Sequence, residues 1–312
     1  MTYSIVAFDR RTGDLGVAVQ SKFLAVGAVV PWALAGVGAV ATQAMADVGF
    51  GPGGLALLAE GSAADAAVGT LIAGDPLAEH RQVGIVDARG RSASHTGRHC
   101  FAWAGGRVGP GFAAQGNILA GPAVVDSLAD TFLVGDRPFP ELLVACLAAA
   151  DAAGGDRRGR ESAALLVVRA GGGYGGGNDR WIDLRVDHHN DPIGELARLL
   201  DLQRLYFDRP SIDDLVALDE PTAREVRSAL ESMNAAPGGR FGAVYAPMSG
   251  EAAVESEPRP SVGDPGPLPA GWDATWQRAL DDWMAVTNLE ERAAAPGWID
   301  RRVLAILRDE RR

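Results

Sequence analysis

Residues 2–21 read TYSIVAFDRRTGDLGVAVQS, and this stretch decides the fold. Thr2–Asp9 and Leu15–Ser21 are rich in β-branched and apolar residues, and Arg10-Arg11-Thr12-Gly13-Asp14 between them has turn chemistry. The chain therefore opens with a β-hairpin. Thr2 starts its first strand and Lys22 follows its second, so pairing brings these two ends together. Side chains alternate across a strand, so Ser4 shares a face with Thr2. Lys22 is the one lysine among 29 basic residues; all the others are arginine. Arginine keeps its proton in a protein, whereas a buried lysine titrates and can take part in chemistry.

Two more apolar runs follow, Gly27–Trp32 and Gly36–Gln43, apolar enough to read as strands buried on both faces. Helices are expected over Gly53–Glu60 and over Ser62–Ala73, with Ser62 as an N-cap. Gln82–Asp87 and Arg91–Thr96 form a second hairpin around Gly90, and Phe112–Gln115 is a short strand running into Gly116 and Asn117. Helices over Ala120–Phe132 and Pro140–Ala153 precede a glycine-rich charged turn, the strand Ser162–Arg169 and the strand Ile182–Val186. An amphipathic helix spans Ile193–Leu205. The helices come in pairs, not one per crossover, which argues against a doubly wound parallel sheet. The expected class is α+β, a four-layer αββα sandwich of two mainly antiparallel sheets occupying residues 1–205.

Composition shifts after residue 205. Asp219–Ala235 reads as a helix, and residues 256–271 (SEPRPSVGDPGPLPAG) read as a Pro/Gly linker within an accessory, mostly helical domain at 206–312. Trp272, Trp276, Leu280 and Trp283 fall on one helical stripe and are expected to be core. With 312 residues, 47% hydrophobic and 22% charged, the chain reads as globular, in about two domains. A net charge of −11 argues against nucleic acid or an anionic membrane as partner. Two cysteines and no CxxC pair imply neither a disulfide framework nor a structural metal. The N-terminus has no basic region followed by an apolar one, so a cytoplasmic protein starting at or near residue 1 is expected.

Several residues have chemistry to offer. If Met1 is trimmed, Thr2 carries a free amine of pKa near ~8 beside its own hydroxyl, one route to an activated nucleophile. A buried Lys22 nearby would lower the pKa of that system. Ser4 is a helper hydroxyl or, after self-cleavage behind Tyr3, an alternative nucleophile. Gln43 and Gln115 end strands and are candidate cleft-lining groups, and Asn117 or a backbone N–H is a candidate oxyanion donor. Asp187-His188-His189-Asn190-Asp191 has metal-ligand residue types, but neighbouring histidines on a strand point to opposite faces, and no metal or cofactor is expected. His95, His99 and Cys100 lack a third catalytic partner and read as structural. The glycine run at 171–177 lacks the following helix of a phosphate cradle and reads as a hairpin turn beside a cleft.

The motifs SIVAFDRRTGDLGVAVQSKFLAVGAVVPW, GVGAVATQA, RQVGIVDARGR, QGNILAG, AGGDRRGRESAALLVV and DLRVDHHNDPI together resemble an uncharacterised bacterial family, DUF1028, grouped with the N-terminal-nucleophile (Ntn) hydrolases. The resemblance covers Thr2 to about Leu205. It implies the αββα sandwich and, by superfamily, amide hydrolysis with Thr2 as nucleophile. Asp156 and Ser162 resemble the Asp and Ser that support the nucleophile in proteasome-type chains. Lys22 matches the role of their lysine from a different strand, and Gln20 stands in the region where they carry an Asp. The tail, WMAVTNLEERAAAPGWIDRRVLAILR, resembles a small domain labelled peptidoglycan-binding. The expected function is an Ntn amidohydrolase acting on a small-molecule or peptide-like substrate through an acyl-enzyme. The alternative is a non-catalytic binding or assembly protein that recognises a glycan or peptidoglycan-like ligand through the C-terminal domain. A homo-oligomer is expected in either case.

Overall fold

The computed structural model describes residues 2–240 and 258–310. It divides into two compact units that part between Leu200 and Asp201. The first unit carries strands β1 (Thr2–Phe8), β2 (Leu15–Ser21), β3 (Pro31–Leu34), β4 (Gly38–Ala44), β5 (Arg81–Asp87), β6 (Ser92–Thr96), β7 (Gly105–Gly109), β8 (Phe112–Asn117), β9 (Ser162–Val168) and β10 (Arg180–Val186). Its helices are α1 (Phe50–Ala59), α2 (Ala64–Ala73), α3 (Ala123–Val134) and α4 (Phe139–Ala152), and α5 (Pro192–Phe207) runs across the boundary. The strands form a six-stranded sheet of order β10-β9-β2-β1-β8-β7 and a four-stranded sheet of order β3-β4-β5-β6. Every pairing in them is antiparallel. The chain is thus mixed α+β with antiparallel sheets, and it has eight α-helices among the described residues.

The opening hairpin forms as its sequence dictates, with Thr2 opposite Ser21 and Phe8 opposite Leu15. Alternation then divides the neighbours of β1. Tyr3, Ile5 and Ala7 pack with Val124, Leu128, Leu143 and Leu147 of α3 and α4. Val6, Val17 and Val19 on the other face pack with Ala39, Ala41 and Val86 of the four-stranded sheet. The far side of that sheet presents Val40, Val83 and Ile85 to Phe50, Leu58 and Val68 of α1 and α2. A strand covered on both faces loses the polar half of its alternation, which is why residues 5–8 of β1, 15–19 of β2 and 163–168 of β9 read as continuous apolar runs.

Some elements depart from expectation for local reasons. Gly27–Trp32 is not a buried strand: Val26–Ala28 makes a single 3-10 turn, and β3 begins at Pro31 and is only partly buried. The Ser162 hydroxyl accepts the Val26 N–H at 3.1 Å, and a Cβ at Gly27 would lie 2.7 Å from that of Ala164. The chain is drawn too close to β9 there to extend. Helix α1 starts at Phe50, ahead of Gly53, where Asp47 accepts the Gly49 N–H at 2.8 Å. Ser62 does not cap α2, whose N-cap is Ala63 with no side-chain bond. The edge strand β7, sequence GGRVG, lacks the apolar alternation that would announce it.

The second unit contains β11 (Leu215–Ala217), α6 (Glu220–Ser232), α7 (Ala274–Val286), β12 (Trp298–Asp300) and α8 (Arg301–Glu310). The small antiparallel pair β11–β12 adds strands to what reads as a helical domain. Val226, Leu230, Trp272, Leu280, Trp283, Val303 and Leu307 form its core, so the tryptophans are core residues, although Trp272 precedes α7 instead of lying on it. Residues 258–271 of the expected linker have no regular structure, and its first two residues lie outside the described ones. A buried Arg292–Asp300 ion pair joins the turn before β12 to the start of α8, where Asp300 also caps the Val303 N–H at 3.1 Å.

Leu143, with no exposed surface, locks α4 to the six-stranded sheet. Leu143→Ala should cost about 2–5 kcal/mol of unfolding free energy by urea titration. Leu133→Ala on exposed surface of α3 should change it by less than about 0.5 kcal/mol.

Candidate functional site

The register places four polar residues side by side at one end of the six-stranded sheet. Thr2 pairs with Asn117 on one side and Ser21 on the other, and Ser21 pairs with Ser162. Paired residues share a face, here the one turned to the second sheet, so Asn117, Thr2, Ser21 and Ser162 form a row of about 14 Å. All four are buried, Thr2 the least so at 5% exposure. The Thr2 and Ser21 hydroxyls lie 3.1 Å apart.

Behind this row the side chains are joined in an ordered chain of hydrogen bonds. Gln115 Nε2 donates to Ser4 Oγ at 2.7 Å, and Ser4 Oγ donates to Gln43 Oε1 at 2.7 Å. Gln43 Nε2 donates to Gln82 Oε1 at 2.8 Å, and Asn117 Nδ2 donates to the same oxygen at 2.9 Å. Gln82 Nε2 ends the chain on Thr96 Oγ1 at 2.9 Å and the Gly116 carbonyl at 2.8 Å. Gln43, Gln82 and Thr96 are themselves neighbours across β4, β5 and β6. Gly84 makes room for this arrangement, because a Cβ there would come within 2.1 Å of Gln115 Oε1. That oxygen has no protein partner.

Of the sequence candidates, Thr2, Ser4, Gln43, Gln115 and Asn117 converge between the sheets. Ser21, Gln82 and Thr96 belong with them and were not anticipated. Ser21 was legible from hairpin pairing alone, since a symmetric hairpin sets it opposite Thr2. Gln20 stands apart: it faces the helices beside Tyr3, and both its amide atoms are buried without a protein partner. Burial and the nearby Asp151 carboxylate push the Tyr3 phenol well above its ordinary value.

Lys22 does not supply the buried ammonium expected beside Thr2. It lies one residue past the row, so alternation turns it away, and its side chain is 38% exposed. Its Nζ donates to Glu161 Oε2 at 2.6 Å and to the Arg160 carbonyl at 3.0 Å. Asp156 accepts the Lys22 backbone N–H at 3.0 Å and the Arg158 N–H at 2.8 Å, so it anchors the chain leaving β2. Ser162 accepts the Val26 N–H and donates to the Phe23 carbonyl, which commits its hydroxyl to the same loop. These two residues brace the end of the row.

The remaining motifs have structural employment. His188 Nδ1 bonds Glu161 Oε1, and His189 Nδ1 accepts the Asp191 N–H at 3.0 Å. Among the described residues no group of three or more His, Cys, Asp or Glu is placed to hold a metal ion. Cys100 Sγ meets the Arg81 carbonyl at 3.3 Å, and burial raises its thiol. The glycine-rich turn joins β9 to β10 at the end of β9 opposite Ser162, and so lies away from the row.

Lys22 first, then His188, hold the Glu161 carboxyl below its ordinary 4.5. The stabilisation is complete above 4.5 and is lost as pH falls through the lowered native value. In urea titrations from pH 7 to 2, Glu161→Gln should be less stable than the parent at neutral pH, and the two should converge below pH 4.5.

Residues 2–196 match a family of unknown function, DUF1028. Residues 266–307 match a peptidoglycan-binding domain family. A crystal structure of a Silicibacter pomeroyi protein assigned to the DUF1028 family superposes with a TM-score of 0.60 at 30% identity, over 65% of this chain and 89% of that one. No curated protein matches the sequence. The family match spans both sheets and every residue of the polar row: the chain belongs to the DUF1028 family.

Proposed function

We propose that this chain is an Ntn amidohydrolase with Thr2 as nucleophile, active once cleavage ahead of Thr2 frees its amine. The carrying observation is the placement of Thr2 Oγ1 at the edge of a central strand, 3.1 Å from Ser21 Oγ and beside Asn117. Two face-to-face antiparallel sheets with helices packed on their outer faces support the reading as an αββα sandwich of that superfamily. Fold alone does not imply function, so the argument rests on the row.

In the proposed reaction the Thr2 amine takes the proton from Oγ1 as the oxygen attacks an amide carbonyl. Ser21 Oγ, in contact with Oγ1, holds the hydroxyl in line. Asn117 Nδ2 has one hydrogen committed to Gln82 and a second left for the oxyanion. The C–N bond breaks, the amine leaves with the proton, and an ester on Thr2 remains. Water activated by the Thr2 amine hydrolyses that ester to a carboxylic acid. Lys22, Asp156 and Ser162 act at one remove, by fixing the loop that follows β2.

The second unit carries a separate proposal, recognition of a glycan or peptidoglycan-like ligand, supported by the match at 266–307. Clefts flank α7 there, one of about 350 Å³ lined by Trp272, Gln277 and Arg278. A cytoplasmic location and self-association belong with the hydrolase proposal and not with ligand recognition by the second unit. No helix among the described residues is long and apolar enough to cross a membrane.

Incubation with a β-lactone followed by intact-mass analysis tests the chemistry. The expected result is one adduct on protein beginning at Thr2, none on Thr2→Ala, and a rate about 10²- to 10³-fold lower in Asn117→Ala. Lys22→Arg should react within about fivefold of the parent, because a part-exposed ion pair contributes little. A blocked Thr2 amine, or equal labelling of Thr2→Ala, would leave the binding reading. The second unit is tested within the full chain: Gln277 and Arg278 variants should reduce co-sedimentation with insoluble peptidoglycan, and no sedimentation of the parent would end this second proposal.

A further inference from the structure

The loops that leave the polar row carry a cluster of the chain's exposed apolar side chains. Phe23 and Leu24 follow β2, Met45 and Val48 follow β4, and Phe101 precedes β7; each is at least half exposed. Hydrogen bonds tie each loop to the row or to a residue next to it. Ser162 Oγ donates to the Phe23 carbonyl at one end. At the other end the Ile118 N–H, one residue past Asn117, donates to the Phe101 carbonyl at 2.9 Å. On the facing sheet, Arg81 holds the Met45 carbonyl, two residues past Gln43. Apolar groups therefore stand at both ends of a row about 14 Å long and on a sheet about 10 Å away.

Charge sorts the same surface. The side chains of Thr2, Ser4, Ser21, Gln43, Gln82 and Asn117 are uncharged donors and acceptors. The ions around them are matched in pairs: Lys22 with Glu161 at 2.6 Å, Arg160 with Asp151 at 2.6 Å, Arg81 with Asp75 at 2.6 Å and Arg158 with Asp156 at 3.4 Å. Arg157 and Asp187, opposite in sign and at opposite ends of the row, are exposed to solvent. An anion entering the row would lose hydration and would hold the Thr2 amine protonated, which removes the base, whereas a neutral amide leaves that amine free to act.

We infer that the substrate is a neutral amide with alkyl or aryl substituents, its amide in the polar row and its substituents reaching the apolar groups at the ends, Phe23 and Leu24 on one side and Phe101 on the other. This rests on the row being the reaction site. Burial of the substituent sets affinity at roughly fourfold per methylene.

Thr2→Ala separates binding from chemistry. Thermal-shift titrations of that variant should give N-hexylacetamide at least tenfold tighter binding than 6-acetamidohexanoate, which has a similar chain and a carboxylate. At least one of Phe23→Ser and Phe101→Ser, added to Thr2→Ala, should weaken N-hexylacetamide by about tenfold or more, with melting temperatures near that of Thr2→Ala. Equal binding of the two amides, or unchanged binding in both serine variants, overturns the inference. It also falls if those variants dissociate an oligomer in sedimentation without altering amide binding, which would make the rim a subunit contact. Selective binding without a lactone adduct on the parent would keep the ligand class and defeat the hydrolase. An adduct without selectivity would do the reverse.

Discussion

A polar side chain on a strand buried on both faces draws its partners from neighbouring strands, because water cannot reach it. This constraint on β1 organises the first unit. Its apolar residues are shared between a helical face and a second sheet. Two of its hydroxyls, those of Thr2 and Ser4, fall at one end on the sheet-facing side, and neither could stay there unpaired without a penalty of about 1–3 kcal/mol. Ser21 meets the first, and Gln43 and Gln115 meet the second. The amides that serve Ser4 need partners in turn, which draws in Gln82, Asn117 and Thr96. The polar row and its backing follow from placing two hydroxyls at the start of a central strand.

Much of this was legible in the chain. The opening hairpin is set by a turn between two β-rich runs, and its register follows from the turn, so both the strands and the Thr2–Ser21 neighbourhood are readable. Paired helices and alternating apolar runs point to antiparallel sheets for the same reason. Lys22 was misread because it was judged by proximity along the hairpin and not by alternation: one residue past the row turns it outward to Glu161. Gln82 was invisible because its partner Gln43 is 39 residues away, and only the β4–β5 register joins them. The turn at Val26–Ala28 was hidden in an apolar run for a similar reason. What bends the chain there is a serine hydroxyl more than a hundred residues downstream.

The second unit follows a different logic. Its core is made of tryptophan, leucine and valine on helix faces, and a buried Arg292–Asp300 pair fixes the approach to α8. Removing either member would leave an uncompensated buried charge, so the pair specifies geometry more than it adds stability. Helix periodicity revealed α6 and α7, while three-residue strands such as β11 and β12 fall below what periodicity can resolve.

The hydrogen-bond chain behind the row has a direction. Ser4 donates to the Gln43 oxygen, which turns the Gln43 nitrogen towards Gln82, and Gln82 must then offer its oxygen to both Gln43 and Asn117. No one of these amides can turn over alone, because a reversal would set oxygen against oxygen or N–H against N–H at the next link. The group therefore behaves as a single heritable unit. A lineage that exchanged Gln82 for a residue of other polarity would have to re-specify Gln43 and Asn117 with it, and drift at these positions would proceed in concerted steps.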